Sequence, residues 1–274
     1  MKQQERLDFL LEKLKEDSVQ YKNLQVEENE TAKKEAVRSL MNIRMPRYID
    51  RKILKVQDEF LQNQTFEKGI VTLDMIPTVK EQHGSNNPLA DKISIWQGDM
   101  TRLKVDAIVN AANSALLGCF VPCHRCIDNA IHSGAGMELR EECNKIMNQR
   151  KIKYCTNYEE PTGTATITEA YNLPCKKVIH TVGPICYFGL NDELCNDLKN
   201  CYESVLNCCA ENGLKTVAFC CISTGEFRFP NKEAAVIAKD TVERFLMKKE
   251  NNIERVIFCV YKDLDREIYD KLYK

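Results

Sequence analysis

Between Gly118 and His132 the chain reads GCFVPCHRCIDNAIH, with three cysteines and a histidine inside eight positions and an aspartate just beyond. Thiolate and imidazole donors this close together suit a borderline-soft cation such as zinc. Cys119, His124 and Cys126 would supply three ligands, leaving Cys123 as an extra thiol. Three protein ligands plus an open position is the plan of a catalytic zinc site. A structural site closes with four, often from paired C-x2-C units. Here C-x2-C occurs once, at Cys123 and Cys126, with no second pair nearby. Spacing alone leaves three readings open: a catalytic centre, a structural site closed by Cys123, and thiols that bind nothing.

The rest of the composition narrows the setting. Fourteen cysteines in 274 residues would suggest disulfides in a secreted chain. The N-terminus, MKQQERLDFLLEKLKED, is charged and amphipathic and lacks the apolar core of a signal peptide. No apolar run approaches the length of a membrane span; the longest is VAFCCI, residues 217–222. The expectation is a cytoplasmic, monomeric chain with reduced thiols and no membrane partner, in which close Cys/His spacing indicates metal. Cys208, Cys209, Cys220, Cys221 and Cys259 lie in apolar segments and read as core. Net charge is −1, and no basic or aromatic-rich stripe appears, which argues against nucleic acid. An anionic ligand would therefore be held by backbone donors or by a metal.

The elements that must position this cluster follow from periodicity. Leu7, Leu10, Leu11 and Leu14 recur at helical spacing; Ala36, Val37, Leu40 and Met41 do so after a candidate cap at Thr31. Ile49, Ile53, Val56 and Phe60 form a third helical set, and HGSNNP (83–88) reads as a boundary. Strands are expected at 93–96, 106–111, 164–168, 177–182, 216–222 and 255–261. Helical patterns follow several of them, one running from Ile127 through Ile131, Leu139 and Cys143 to Ile146. Strands apolar on both faces and separated by helices predict a sandwiched, mostly parallel sheet. Its ligands should sit beyond the C-terminal ends of the strands, where NAANSALLG (110–118) and STGEFRFP (223–230) fall.

GDMTRLKVDAIVNAANSALLG (98–118), HTVGP (180–184) and STGEFRFP (223–230) together resemble the macrodomain family, which binds ADP-ribose. The resemblance covers about residues 90–274. It implies an α/β fold, a three-layer α/β/α sandwich around a mixed, mostly parallel sheet (89–274), preceded by a helical N-terminal extension (1–88). Where most members carry a run of glycines after NAANS, this chain has GCFVPCHRC and then IDNAIH. That departure looks like the zinc-containing microbial branch, whose members are protein-ADP-ribose hydrolases.

Carried over residue by residue, the resemblance implies Zn2+ on Cys119, His124 and Cys126. It implies Asp99 on the adenine amino group, assisted by the Met100 backbone, and Asn113 on the distal ribose. Ile127 would line the substrate site. Ser223, Thr224, Gly225, Glu226 and Phe227 would cradle the diphosphate through backbone N–H groups, a device that needs no lysine. Phe229 would pack on the ribose or in the core. Asp128 would act as general base or orienting carboxylate; its ordinary role would be to cap a helix starting near Asn129. Asn110 reads as a loop brace, His180 and His132 as packing histidines outside the ligand set, and Tyr261 as an adenine stacker or edge packer. The expected reaction is zinc-dependent removal of mono-ADP-ribose from modified protein side chains, as Asp or Glu esters. The alternative is a non-catalytic ADP-ribose reader with structural zinc.

Overall fold

The computed structural model describes residues 1–248 and 251–274. Three helices come first: α1 (Gln3–Asp17), α2 (Glu30–Ile43) and α3 (Arg51–Lys68). After them come β1 (Val71–Thr72), α4 (Val79–His83), β2 (Ile93–Gln97), β3 (Leu103–Lys104) and β4 (Ala107–Ala112). Next are α5 (Ile127–Ala135), α6 (Met137–Lys153), β5 (Thr166–Glu169), β6 (Lys177–Val182) and α7 (Asp192–Glu211). The chain ends with β7 (Thr216–Phe219), α8 (Asn231–Leu246), β8 (Arg255–Val260) and α9 (Asp263–Tyr273). Among the described residues no helix is long and apolar enough to cross a membrane. The chain forms two compact units that are not sequential.

The first unit comprises residues 1–69, 116–158 and 170–173. Its core joins the leucine stripe of α1 (Leu7, Leu10, Leu11, Leu14) to Val37, Leu40 and Met41 of α2 and to Val56, Phe60 and Leu61 of α3. Met137, at the start of α6, closes the same cluster, so the helical extension and the segment around α5 and α6 share one core. The cap of α2 is Asn29, whose side chain accepts from Ala32 N at 2.8 Å, and not Thr31. The apolar pattern from Ile127 to Ile146 reads as one helix, but the chain breaks it at Gly136. There φ is +96°, and a Cβ would meet the Gln57 side chain at 2.6 Å. Gln57 is fully buried, and its Oε1 accepts from Met137 N at 2.9 Å, capping the new helix. A tertiary contact therefore overrides the local period.

The second unit comprises residues 70–115, 159–169 and 174–274. Its six-stranded sheet has the order β2-β8-β7-β4-β6-β5, and every pairing is parallel except β5 with β6. All six expected strands are present. The 216–222 run stops early, at Phe219, because the chain turns into a loop in which Ser223 takes φ +64°. A short parallel pair, β1 with β3, had no signal in the sequence. The strands are apolar on both faces, as in β4, where five of six residues are buried. Among the helices of this unit, α7 packs on β6 and α9 on β2 and β8. Strands β2, β4 and β7 run in one direction, so the loops that follow them leave the sheet at the same edge.

Candidate functional site

In the first unit, the ligand atoms of Cys119, His124 and Cys126 all lie within 4.8 Å of one another. Cys119 Sγ and His124 Nδ1 are 3.6 Å apart. Tetrahedral zinc with ordinary Zn–S and Zn–N bonds puts neighbouring donors roughly 3.5–3.8 Å apart, so the group is close to a ligand-ready arrangement. Burial pushes the Cys126 thiol up to about 12. A backbone hydrogen bond from Asn129 opposes that, and the nearby Cys119 and Asp128 add to it. A bound cation would reverse that balance by stabilising the thiolate. The residues present therefore fit zinc. Cys123 does not join them: its Sγ lies 3.3 Å from Ser39 Oγ and 3.6 Å from the Glu35 carbonyl, on α2. A positive φ of 50° at Cys123 accompanies this turn away from the ligand group.

The loop is shaped by its neighbours. Gly118 has φ +80°, and a Cβ there would meet the imidazole ring of His132 at 2.7 Å, so only glycine lets the chain enter the loop against that ring. Cys126 occupies the N-cap of α5, its Sγ accepting from Asn129 N at 3.4 Å. Asp128 is thus not the cap. It lies within the first turn of α5, where a carboxylate is favoured by the helix dipole, and it is 5% exposed. His132, one turn on, places Nε2 3.5 Å from Asp128 Oδ1. It lies outside the three-ligand group, yet it is more than a packing residue. The i, i+4 spacing of Asp128 and His132 was the available signal. Arg38, Asn42, Asn129 and Arg140 also touch this loop, and sequence reasoning missed all four.

Ile127, half-buried at the start of α5, is also in the first unit; the remaining site candidates belong to the second. Asp99 follows β2, and its Oδ1 accepts from Thr101 N at 3.0 Å and from Thr101 Oγ1 at 2.6 Å; Met100 behind it is buried. Asn113 follows β4 and turns the chain by accepting from Ala115 N at 3.1 Å. The 223–229 loop follows β7. Its Ser223 carbonyl accepts from Phe229 N at 2.9 Å, and its Gly225 carbonyl from Arg228 N at 3.1 Å. Ser223 and Arg228 both hold positive φ, 64° and 55°, a concentration of strain typical of binding loops. Gly225 and Glu226 are exposed, and Phe227 is half-buried with its carbonyl accepting from Cys186 N at 2.7 Å.

Phe229 is only 1% exposed, so in this structure it is a core side chain. Arg228 is exposed, with its guanidinium 5.4 Å from the Tyr187 ring centre. Tyr261, 78% exposed, is not an edge packer. Beneath these loops His180 is fully buried, 3.0 Å from Asn110 Nδ2 and 3.0 Å from Thr168 Oγ1. Thr168 Oγ1 donates to the Val178 carbonyl, so the chain is consistent when His180 accepts at Nδ1 and donates at Nε2. Burial lowers the His180 pKa to about 4, which keeps the ring neutral. Cys175 and Cys220 are pushed to about 12 by burial and are inert packing thiols.

Fold and loops together define a class. Residues 109–238 match the Macro domain family. The chain is 46% identical over 273 residues to the protein-ADP-ribose hydrolase of Treponema medium, covering 99% of both. It is 41% identical over 243 residues to the protein-ADP-ribose hydrolase of Staphylococcus aureus strain MSSA476, covering 87% of this chain and 84% of that one. The Trypanosoma brucei macrodomain solved in complex with ADP-ribose superposes with a TM-score of 0.65 at 26% identity, over 90% of this chain and 97% of that one. The chain belongs to the macrodomain family. The match to the Treponema relative runs through the N-terminal helices as well.

Proposed function

We propose that the protein is a zinc-dependent protein-ADP-ribose hydrolase that releases mono-ADP-ribose from modified side chains, with Asp or Glu esters as the substrate linkage. The observation that carries this reading is the three-donor group of Cys119, His124 and Cys126, from which Cys123 is turned away. A reader with a closed structural site would need a fourth ligand, and Cys123 is committed to α2 instead. The names of the relatives, hydrolases in both curated cases, support the same class.

Within this reading some residues bind the nucleotide and others serve the chemistry. Backbone N–H groups of Ser223 to Phe227 hold the diphosphate, Asp99 accepts from the adenine amino group with the Met100 backbone beside it, and Asn113 engages the distal ribose. Remote contacts of this kind contribute orientation at the reacting carbon. Zinc held by three side chains supplies Lewis acidity when bound. Ile127 lines the substrate site beside Asp128. Asp128, fixed by the first turn of α5 and by His132, orients the nucleophilic water and takes its proton. The ester C–O bond breaks, giving ADP-ribose and the free carboxylic side chain.

The test is release of ADP-ribose from a protein modified on Asp or Glu, with and without chelator, while unfolding is followed on the same samples. Release should stop on chelation and return with Zn2+, the fold persisting throughout. Normal turnover by folded, metal-free protein would refute zinc dependence.

A further inference from the structure

The first three helices share a core with α5 and α6, and the metal-ligand loop belongs to that same unit. The contacts are specific and reach the loop backbone, the side chains of α5 and the end of α2. Asn42 of α2, 1% exposed, accepts from Cys123 N at 3.0 Å through Oδ1 and donates to Ser133 Oγ at 2.9 Å through Nδ2. Arg38, one turn earlier, donates to Asn129 Oδ1 at 2.7 Å and to the His124 carbonyl at 3.4 Å. Asn129 in turn donates to the Val121 carbonyl at 3.0 Å. Arg140 of α6 ties the end of α2 to the start of the loop. Its Nη1 donates to the carbonyls of Met41, Asn42 and Arg44, and its Nε to the Leu117 carbonyl at 2.7 Å. Its guanidinium also sits 4.4 Å from the centre of the Phe120 ring.

We propose that α2 is a working part of the metal centre, with Arg38 and Asn42 as positioning residues that hold residues 119–126 in ligand-ready shape. The physical argument is entropic. Three ligands on a free eight-residue loop must be ordered when the ion binds, and a clamp that orders them beforehand removes that cost from binding. Both residues act on backbone groups at or beside a ligand, Asn42 at Cys123 and Arg38 at His124. They hold no ligand atom themselves, so their effect should be that of an outer-shell partner, about 10- to 100-fold in metal affinity. The inference rests on the zinc reading given above.

The decisive experiment compares full-length wild type with Asn42→Ala, Arg38→Ala and, as a control, Lys34→Ala, whose side chain pairs with Glu30 along α2. Zn2+ affinity is measured by competition with a chromophoric chelator, and Co2+ binding by its thiolate charge-transfer band. Asn42→Ala and Arg38→Ala should weaken both by 10- to 100-fold, with ADP-ribose affinity and circular dichroism unchanged; Lys34→Ala should match wild type. Folded Arg38→Ala and Asn42→Ala proteins that bind Zn2+ like wild type would overturn the proposal. Arg38 is only half-buried, so its variant carries the test if Asn42→Ala does not fold. Hydrogen exchange at the Cys123 amide, followed in metal-free protein, should quicken in Asn42→Ala. Quickened exchange in a protein whose wild type binds no Zn2+ would sink the metal reading itself, whereas unchanged exchange would sink the clamp.

Discussion

Replacing Gly225 with valine should separate nucleotide binding from stability, because the structure assigns this glycine no packing role. A Cβ at Gly225 would meet no heavy atom within 4 Å, the residue is exposed, and its φ lies outside the left-handed region. The substitution should therefore change folding stability by no more than about 0.5 kcal/mol, the usual range for an unconstrained surface position. Binding should respond differently. If the 223–227 backbone cradles the diphosphate, a β-branched side chain keeps phosphate oxygens from at least one N–H donor. A hydrogen bond to a charged partner contributes about 1.5–3 kcal/mol, so one lost bond raises Kd by roughly ten- to 150-fold. The assay is calorimetric titration of ADP-ribose into both proteins, paired with thermal unfolding in the absence of ligand. An unchanged Kd would remove this loop from nucleotide recognition. A weakened Kd accompanied by an equally weakened fold would show that Gly225 is structural after all.

Two further outcomes follow from the same geometry. Asp128→Ala should lower single-turnover release of ADP-ribose by about a hundredfold or more while leaving free ADP-ribose affinity intact, the scale of a lost acid/base group; wild-type turnover in the variant would eliminate Asp128 from the reaction. Stability should fall with pH because of His180: its folded pKa, near 4, lies below the ordinary 6.5, so the unfolded chain binds the proton first. The contribution is complete above pH 6.5 and is lost as pH falls towards 4, amounting to about 3 kcal/mol. Urea unfolding from pH 4 to 7 should show this slope, and His180→Gln should remove it; a flat wild-type profile would contradict the burial argument.

What could be read from sequence, and what could not, divides along one line. Apolar runs such as KVIHTV and RVIFCV gave their strands because burial on both faces leaves a local record in the residues themselves. The grouping of Cys119, His124 and Cys126 was legible for a similar reason, since the three lie within one short loop. The break at Gly136 was not, because it depends on Gln57, brought alongside by α3. Arg38, Asn42 and Arg140 were invisible for the same reason. Most of their partners are backbone carbonyls and amides, which carry no sequence signature, and polar residues on a helix read as solvated by default. His132 lies between these cases: its neighbour Asp128 is four residues away, but the ring's role against Gly118 is tertiary.

The near-neutral charge of the chain also becomes intelligible if ADP-ribose is its ligand, as proposed. ADP-ribose carries a diphosphate, yet net charge is −1, and the 223–227 loop offers no lysine. Backbone donors can hold such an anion only if the loop is stiff, since a flexible loop would have to be ordered at the expense of affinity. Positive φ at Ser223 and Arg228 and the carbonyl–amide bonds across the turn provide that stiffness. The 117–126 loop, proposed above to hold the metal, shows the same principle in another material: there side chains of α2 and α6 hold the backbone, where in the loop proposed to bind the nucleotide the backbone holds itself. The two devices rest on different residues, so they should fail separately. Gly225→Val should weaken ADP-ribose binding and leave Zn2+ affinity alone, and Asn42→Ala should do the reverse. In the double variant each loss should appear at its single-variant size, because residues without shared partners contribute additively. A loss of Zn2+ affinity in Gly225→Val would show that the nucleotide loop and the metal loop are energetically coupled, and the division of labour argued from the fold would have to be given up.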